Sequence, residues 1–402
     1  MAIELRELVH QVQHMKMKLV AGEEGLDRNV SWVHMVENME ISDFLRGNEV
    51  TFTTGVGLND RVTLLELVKH IYRNGGSGVV LNVGPYIEKI PEEVIAFGNE
   101  KSFPVFEVPW EVHMAEIIRI FCFAILKSEQ NTAELTQAFR NALFLPQQED
   151  GYVPVLMQKG YFIEWNYTVV EMDVCDVAMI GESEKIYMPI TEDRINMVHK
   201  KVEGLLHNFS KEAVLLEEKN KFILIFVNHS EEKVVKFMKE VRQRLLPFLR
   251  KNETFFIGIG RATKSIRCVS KSFGMATKII KMLQLENKEM EIYSNKEMGV
   301  YRLLLAIGDR ETMLDYIADT IEPLREYDAL NNENLTEVLQ KYMEHNGNIK
   351  EIAEEMFVHR NTINYKLKKI ENILHAELRD WHICQQLEIG FRLEKIIKMY
   401  HV

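Results

Sequence analysis

The chain has 402 residues, 46% of them apolar and 27% charged, with a formal net charge of −11. That length holds about two to four domains, each able to bury its own core, and the composition is that of a soluble globular protein. The negative charge excludes a protein that coats nucleic acid generally, while screening confines the effect of distant acidic regions and leaves room for a local contact.

From the N-terminus, Leu5, Leu8, Val12, Met15 and Leu19 recur at helical spacing and predict an amphipathic helix. Residues 30–36 alternate as a strand, and 50–53 form a short strand running into Gly55-Val56-Gly57. A helix over 61–73 stops at Asn74-Gly75-Gly76, and 79–83 is a compact buried strand. Pro91 opens another helix, and 104–108 reads as a further strand. Alternation of this kind implies an α/β domain with a largely parallel sheet. Thr53, Thr54 and Gly55 place hydroxyls and accessible backbone at a strand end, where such sheets bind ligands, and Asn82 ends another strand. A plain strand-to-helix turn explains the same residues.

Residues 112–145 form one long helical pattern, uninterrupted by Gly or Pro before Pro146. Its apolar stripe, from Ile117, Ile120, Phe121, Ala124 and Ile125 to Leu135, Ala138, Phe139 and Ala142, suits a subunit contact or an intramolecular core equally. From Tyr152 to about Ile292 the order becomes strand, strand, helix, strand, strand, helix, strand. Residues 168–173 are strand-like, 191–209 helical, and 214–217 pairs with 221–227 across Glu218-Lys219-Asn220 as a hairpin. Helices over 231–250 and 270–283 flank a strand at 255–259.

The stretch NIKEIAEEMFVHRNTINYKLKKIENIL, residues 348–374, is the most informative. Ile349, Ile352, Ala353 and Met356 mark a first helix, and Val358 follows in a short turn. A second helix starts near Arg360 with Ile363, Leu367, Ile370 and Leu374 on one face. Asn361, Tyr365 and Lys368 lie opposite, flanked by Asn364 and Lys369. Amides reach base edges, while lysine and tyrosine hydroxyl reach phosphates, so this face suits a recognition helix. Within 360–369 there are four basic residues, Arg360, Lys366, Lys368 and Lys369, and no acidic one. Asn348, His359 and Thr362 are added to the candidate DNA-binding set. Asn361 and Thr362 also suit a first helical turn, where they satisfy free N–H groups or bond phosphate. A solvated Lys-rich helix face gives part of the same pattern.

Val358-His359-Arg360-Asn361-Thr362, Tyr365-Lys366-Leu367 and Ile370-Glu371 resemble the C-terminal helix-turn-helix of the PucR/CdaR-type bacterial transcription regulators. The likeness continues through Leu378, Asp380 and Leu387 to Leu393, and backwards through Leu324 and Tyr327-Asp328. Lys366 stands where Arg is usual, His375 where Gly often ends the helix, and Phe357 at a turn position often given to Gly, which implies a less tight turn. Ala21-Gly22, Val30, Trp32, residues 45–49, Thr53-Thr54-Gly55 and Pro104 through Pro109 are similar to that family's N-terminal domain, associated with sensing small effectors. Gly258-Ile259-Gly260-Arg261, Ser265, Ser272-Phe273 and Ala276 resemble its central domain, which is similar to a diguanylate-cyclase (GGDEF) fold. A working cyclase needs a Gly-rich acidic hairpin and metal-binding carboxylates. The hairpin here, Glu217-Glu218-Lys219-Asn220-Lys221, has no Gly pair. Asp173 is the acid placed to mimic a metal ligand, while Glu171 and Asp176 read as ordinary strand-end acids.

Other chemistry finds no footing. Cys122, Cys175, Cys268 and Cys384 show no metal or disulfide spacing, and His10 with His14 lacks a third ligand. No G-x-S-x-G, HExxH or Walker sequence is present, so neither an enzyme nor a cofactor is expected. The N-terminus has no apolar leader, and the apolar run 117–126 is broken by Arg119 and too short to span a bilayer. A reducing cytoplasm is the expected location.

The expectation is therefore a multidomain α/β and α+β protein. Residues 1–111 form an α/β sensor domain, 112–150 a connecting helix, 151–295 a degenerate GGDEF-like α/β domain, and 296–402 an all-α DNA-binding domain with its helix-turn-helix at 348–374. Its expected partners are a double-stranded DNA operator, a small-molecule effector and a second copy in a homodimer or higher oligomer, with no membrane. The resemblance points to a metabolite of purine or nitrogen metabolism. The alternatives are a nucleotide-binding protein or residual nucleotide cyclase acting through the central domain, and a ligand-binding protein whose helical tail contacts other proteins.

Overall fold

The structure, a computed structural model, describes residues 3–58, 63–180, 184–210 and 212–401. It is a mixed α/β chain with a helical C-terminal region, and it divides into two compact units, residues 1–138 and 139–402.

The first unit begins with β1 (Ile3–Glu4), α1 (Leu5–Gln11), β2 (Lys18–Ala21), β3 (Asn29–Val30) and β4 (Trp32–Met35). It continues through α2 (Met39–Ser42), β5 (Glu49–Thr53), α3 (Leu64–Arg73), β6 (Gly78–Val83), α4 (Glu92–Glu100), β7 (Val105–Pro109) and α5 (Met114–Phe144). Among the described residues a five-stranded sheet has the order β2-β7-β6-β5-β4. The pairs β4–β5, β5–β6 and β6–β7 are parallel, and β2–β7 is antiparallel. Central strands covered on both faces read as unbroken apolar runs, and β5 is buried at every position. Alternate residues serve the two faces. Phe52, Val80, Phe106 and Val108 meet Leu5, Leu8, Ile117 and Phe121, while Val79, Leu81 and Val105 meet Leu67, Val68, Ile71 and Val94.

Two expectations change here. The helix predicted through Leu19 stops at Gln11; a 3-10 turn over Gln13–Met15 and a left-handed Lys16 at φ 56° follow it, and Leu19 joins β2. Arg61 and Val62, placed in the helix over 61–73, lie outside the described residues; the helix itself starts at Leu64 behind a Thr63–Glu66 capping box. Of the two uses open for the α5 stripe, the structure shows the intramolecular one for its first half. Ile117, Phe121, Ala124 and Ile125 are buried in the core of the first unit.

The second unit runs α6 (Val153–Gln158), β8 (Tyr167–Ile180), β9 (Glu184–Pro189), α7 (Glu192–Phe209), β10 (Val214–Glu218), β11 (Lys221–Val227), α8 (Glu231–Leu245), β12 (Glu253–Ile259), α9 (Val269–Leu285) and β13 (Ile292–Ser294). The helices α10 (Tyr301–Leu304), α11 (Arg310–Thr320), α12 (Glu322–Asn331), α13 (Leu335–Glu344), α14 (Ile349–Glu355), α15 (Arg360–Leu374) and α16 (Trp381–His401) follow. Its sheet has the order β10-β11-β8-β12-β13, with β9 also on β8. Residues of α7 and α8, such as Val198, Val202 and Phe237, cover one face through Met172, Phe226 and Ile257. The helix α9 covers the other.

Glycine makes that second packing close. A Cβ on Gly258 or Gly260 would lie 2.4 Å and 2.0 Å from the carbonyl oxygens of Ala276 and Ser272 in α9. The Gly-x-Gly pair is thus a helix-seating device. One apolar cluster then runs from Phe256 and Ile279, Ile280 and Leu283 through Leu335, Val338, Ile352, Ile363 and Ile370 to Phe391 and Ile396. Core packing is continuous across residue 295.

Candidate functional sites

Asn348 caps α14: its side-chain oxygen accepts the Glu351 N–H at 3.5 Å, and its amide donates to the Glu351 carboxylate at 2.6 Å. Ile352 and Ala353 are buried at the crossing cluster, with Ile349 and Met356 partly so. The helix closes in a Schellman turn, in which the Val358 N–H bonds the Ala353 carbonyl at 3.0 Å and the Phe357 N–H bonds that of Glu354 at 3.3 Å. Phe357 takes the left-handed position at φ 55°, with its ring 96% exposed. The less tight turn expected without Gly is therefore not found. The Schellman hydrogen bonds form, and Phe357 carries the backbone strain instead.

His359 starts α15, its Nδ1 accepting the Asn361 N–H at 3.2 Å. Ile363, Leu367 and Ile370 are buried, and Leu374 is half-buried. Arg360, Asn361, Thr362, Asn364, Tyr365 and Lys368 are exposed together, as the two-faced pattern predicts. The four cations divide. Arg360 and Lys368 make no ion pair among the described residues. Lys366 instead donates to the Asn334 side chain, and Lys369 pairs with Glu333 while lying over the Tyr327 ring. The hydrogen bond to Glu333, then that to Tyr327, raises the Lys369 pKa.

In the first unit the structure brings Thr53, Thr54 and Gly55 together around a residue the sequence reading missed, Glu37. One carboxylate oxygen accepts the Thr54 N–H at 3.1 Å and its hydroxyl at 2.9 Å; the other accepts the Thr53 hydroxyl at 3.0 Å and the Gly55 N–H at 3.2 Å. Gly55 takes a positive φ of 81°, and a Cβ on Gly57 would sit 2.0 Å from the Glu37 carbonyl oxygen. Asn82 is buried, and its amide donates to the carbonyls of Val108 and Pro109 at 3.2 Å each, tying β6 to β7. No signal short of the strand pairing itself marks Glu37, which β4 delivers beside the end of β5.

The acids weighed for a cyclase metal site are differently placed than expected. Glu171 is a buried mid-strand residue of β8, because that strand runs well past residue 173. The Lys221 ammonium lies 2.6 Å from Glu171 and 3.9 Å from Asp173, and Gln284 donates to Asp173 at 2.9 Å. Burial and neighbouring charge compete there: burial raises the Asp173 pKa, while Glu171 keeps that of Lys221 raised against its own burial. A single lysine cation thus pairs with both carboxylates. Asp176 accepts from the Asn252 amide at 2.7 Å.

Residues 7–125 match the Purine catabolism regulatory protein-like (PucR) family, and residues 335–393 match the PucR C-terminal helix-turn-helix domain. The chain thus matches an N-terminal and a C-terminal domain of the PucR family over these two segments. Three relatives come from Bacillus subtilis (strain 168). The chain is 27% identical to the proline-responsive transcriptional activator PutR over 186 residues, 45% of each protein. It is 34% identical to the purine catabolism regulatory protein over 121 residues, 30% of this chain and 22% of that one. It is 27% identical to the DNA-binding transcriptional activator AdeR over 139 residues, 34% and 33% of the two. Each match thus spans less than half of the relative's length. The PucR helix-turn-helix match contains α14 and α15, and the N-terminal match contains the Glu37 loop. No helix among the described residues is long and apolar enough to cross a membrane.

Proposed function

We propose that the chain is a transcription regulator that binds a double-stranded operator through α15 and responds to a small metabolite through the loop after β5. The observation that carries the DNA reading is the exposed Asn361–Tyr365–Lys368 face set opposite buried Ile363, Leu367 and Ile370, inside the match to a helix-turn-helix domain. Retention of operator fragments that falls steeply with salt tests it; salt-independent retention, or none, rejects it. A cytoplasmic location follows from this role.

A single helix-turn-helix makes few base contacts, so two copies on half-sites about 34 Å apart are part of the proposal. Light scattering on the full chain, with and without operator, tests the stoichiometry. We read the segment 151–295 as a cyclase-like scaffold without catalysis, supported by Lys221 standing against Glu171 and Asp173. Two relatives are named for proline response and purine catabolism, which supports a metabolite of nitrogen metabolism as the effector.

A further inference from the structure

We infer that the loop after β5 is a carboxylate site that the chain keeps filled with its own Glu37, and that an effector carboxylate acts by displacing it. The inference rests on the sensing role proposed above for this loop. Both Glu37 oxygens are held by backbone N–H and hydroxyl groups of Thr53, Thr54 and Gly55, at 2.9–3.2 Å. No cation pairs with Glu37 among the described residues. Neutral donors that saturate both oxygens of a carboxylate form a receptor for one, whichever molecule supplies it.

Two further features separate this arrangement from a plain turn. Glu37 is only partly buried and sits on the connection from edge strand β4 to α2, so its side chain can leave without breaking a strand ladder. The loops after β6 and β7 carry an exposed aromatic pair, Tyr86 and Trp110, with ring centroids 6.1 Å apart. A Cβ on Gly55 would lie 2.6 Å from the side chain of Ile87, next to Tyr86, so the loops after β5 and β6 abut. Trp110 follows β7, and the whole group stands at the carboxyl ends of parallel strands. A carboxylate on an apolar body fits both halves: its anion takes the place of Glu37, and its body lies on the exposed rings.

Competition has a signature that a structural clamp lacks. A built-in occupant lowers apparent affinity by the fraction of time the cradle is vacant, so removing it strengthens binding. The test uses the full chain as wild type, Glu37→Gln and Glu37→Ala, with acetate and benzoate as probes and chloride and benzamide as controls at equal ionic strength. Thermal midpoint and the fluorescence of Trp110, assigned by subtracting a Trp110→Phe background, are the readouts. The expected result is that the carboxylates raise the Glu37→Ala midpoint beyond chloride, and that benzoate binds both variants at least about tenfold more tightly than wild type. Adding Thr54→Val should abolish that gain. Glu37→Gln carries the test if Glu37→Ala fails to fold. Equal benzoate affinity in wild type and variants overturns the displacement and leaves the sensing role standing. Carboxylates no better than chloride in every protein overturn the carboxylate site itself.

Discussion

The ammonium of Lys369 lies over the ring of Tyr327, 4.9 Å from its centroid. With Glu333 as ion-pair partner, it ties the inner flank of α15 to the connection between α12 and α13. Lys368, one position earlier, points to solvent. Neighbouring lysines on one helix therefore have separable roles. Asn361→Ala or Tyr365→Ala should weaken operator binding by about 1–3 kcal/mol if either reads a base edge. Lys368→Ala should weaken all DNA similarly and flatten the salt slope by about one. Lys369→Ala should leave that slope unchanged and lower the melting midpoint instead. Anisotropy titrations over a salt series, run beside melts, check all four.

The turn at Phe357 gives a stability prediction of unusual sign. A non-glycine residue at positive φ costs about 1 kcal/mol, and the exposed ring gains nothing from the core. Phe357→Gly should raise the stability of the second unit by about 1 kcal/mol in urea. Ala353→Leu, at the buried crossing, should lower it by about 1–3 kcal/mol and reduce operator affinity. Wild-type affinity in the leucine variant would place Ala353 away from the crossing.

His345 joins the end of α13 to α14. Its ring nitrogens meet Glu355 and Glu351, and Glu355 is also held by Lys341 at 2.6 Å. Glu355, then Glu351, raises the His345 pKa above the ordinary 6.5. The protonated clasp is complete below that value and is lost as pH rises through the raised one. The stability of the second unit should therefore decline across that window, and His345→Gln should flatten the decline. Parallel urea titrations at several pH values measure it.

Arg194 and Glu253 form a two-pronged buried pair at 2.7–2.8 Å. Burial pushes the Glu253 carboxyl up, but the Arg194 hydrogen bonds, the Arg250 N–H and the charges of both arginines together outweigh it and the pKa is lowered. Its contribution is present above the ordinary carboxylate range and is lost as pH falls through the depressed value. Glu253→Gln should cost about 3–5 kcal/mol, because it strands a buried guanidinium. A urea midpoint like that of wild type would show the cation finding water.

What the sequence showed and what it hid divide along chain separation. The stripe of Ile363, Leu367 and Ile370 was legible because helical spacing is a local property, and so were β5 to β7, whose apolar runs reflect burial on both faces. Leu19 misled because its spacing from Met15 continues the helical pattern, while nothing local announces the left-handed turn at Lys16. Glu37, sixteen residues from Thr53, and Glu333, thirty-six from Lys369, were invisible because only strand and helix pairing brings them to their partners. Glu171 looked like a strand-end acid because Asp173 and Asp176 interrupt the apolar run and hide the true length of β8.

The cluster that crosses residue 295 bears on how the recognition helix is handled in isolation. Leu335, Ile352 and Ile370 share their oil-filled interior with Phe256 and with Ile279, Ile280 and Leu283 of α9. Cutting the chain near residue 296 would leave that surface bare, and the fragment would be a sticky half-core instead of a portable reading head. The smallest cassette worth grafting onto another protein starts upstream of β12.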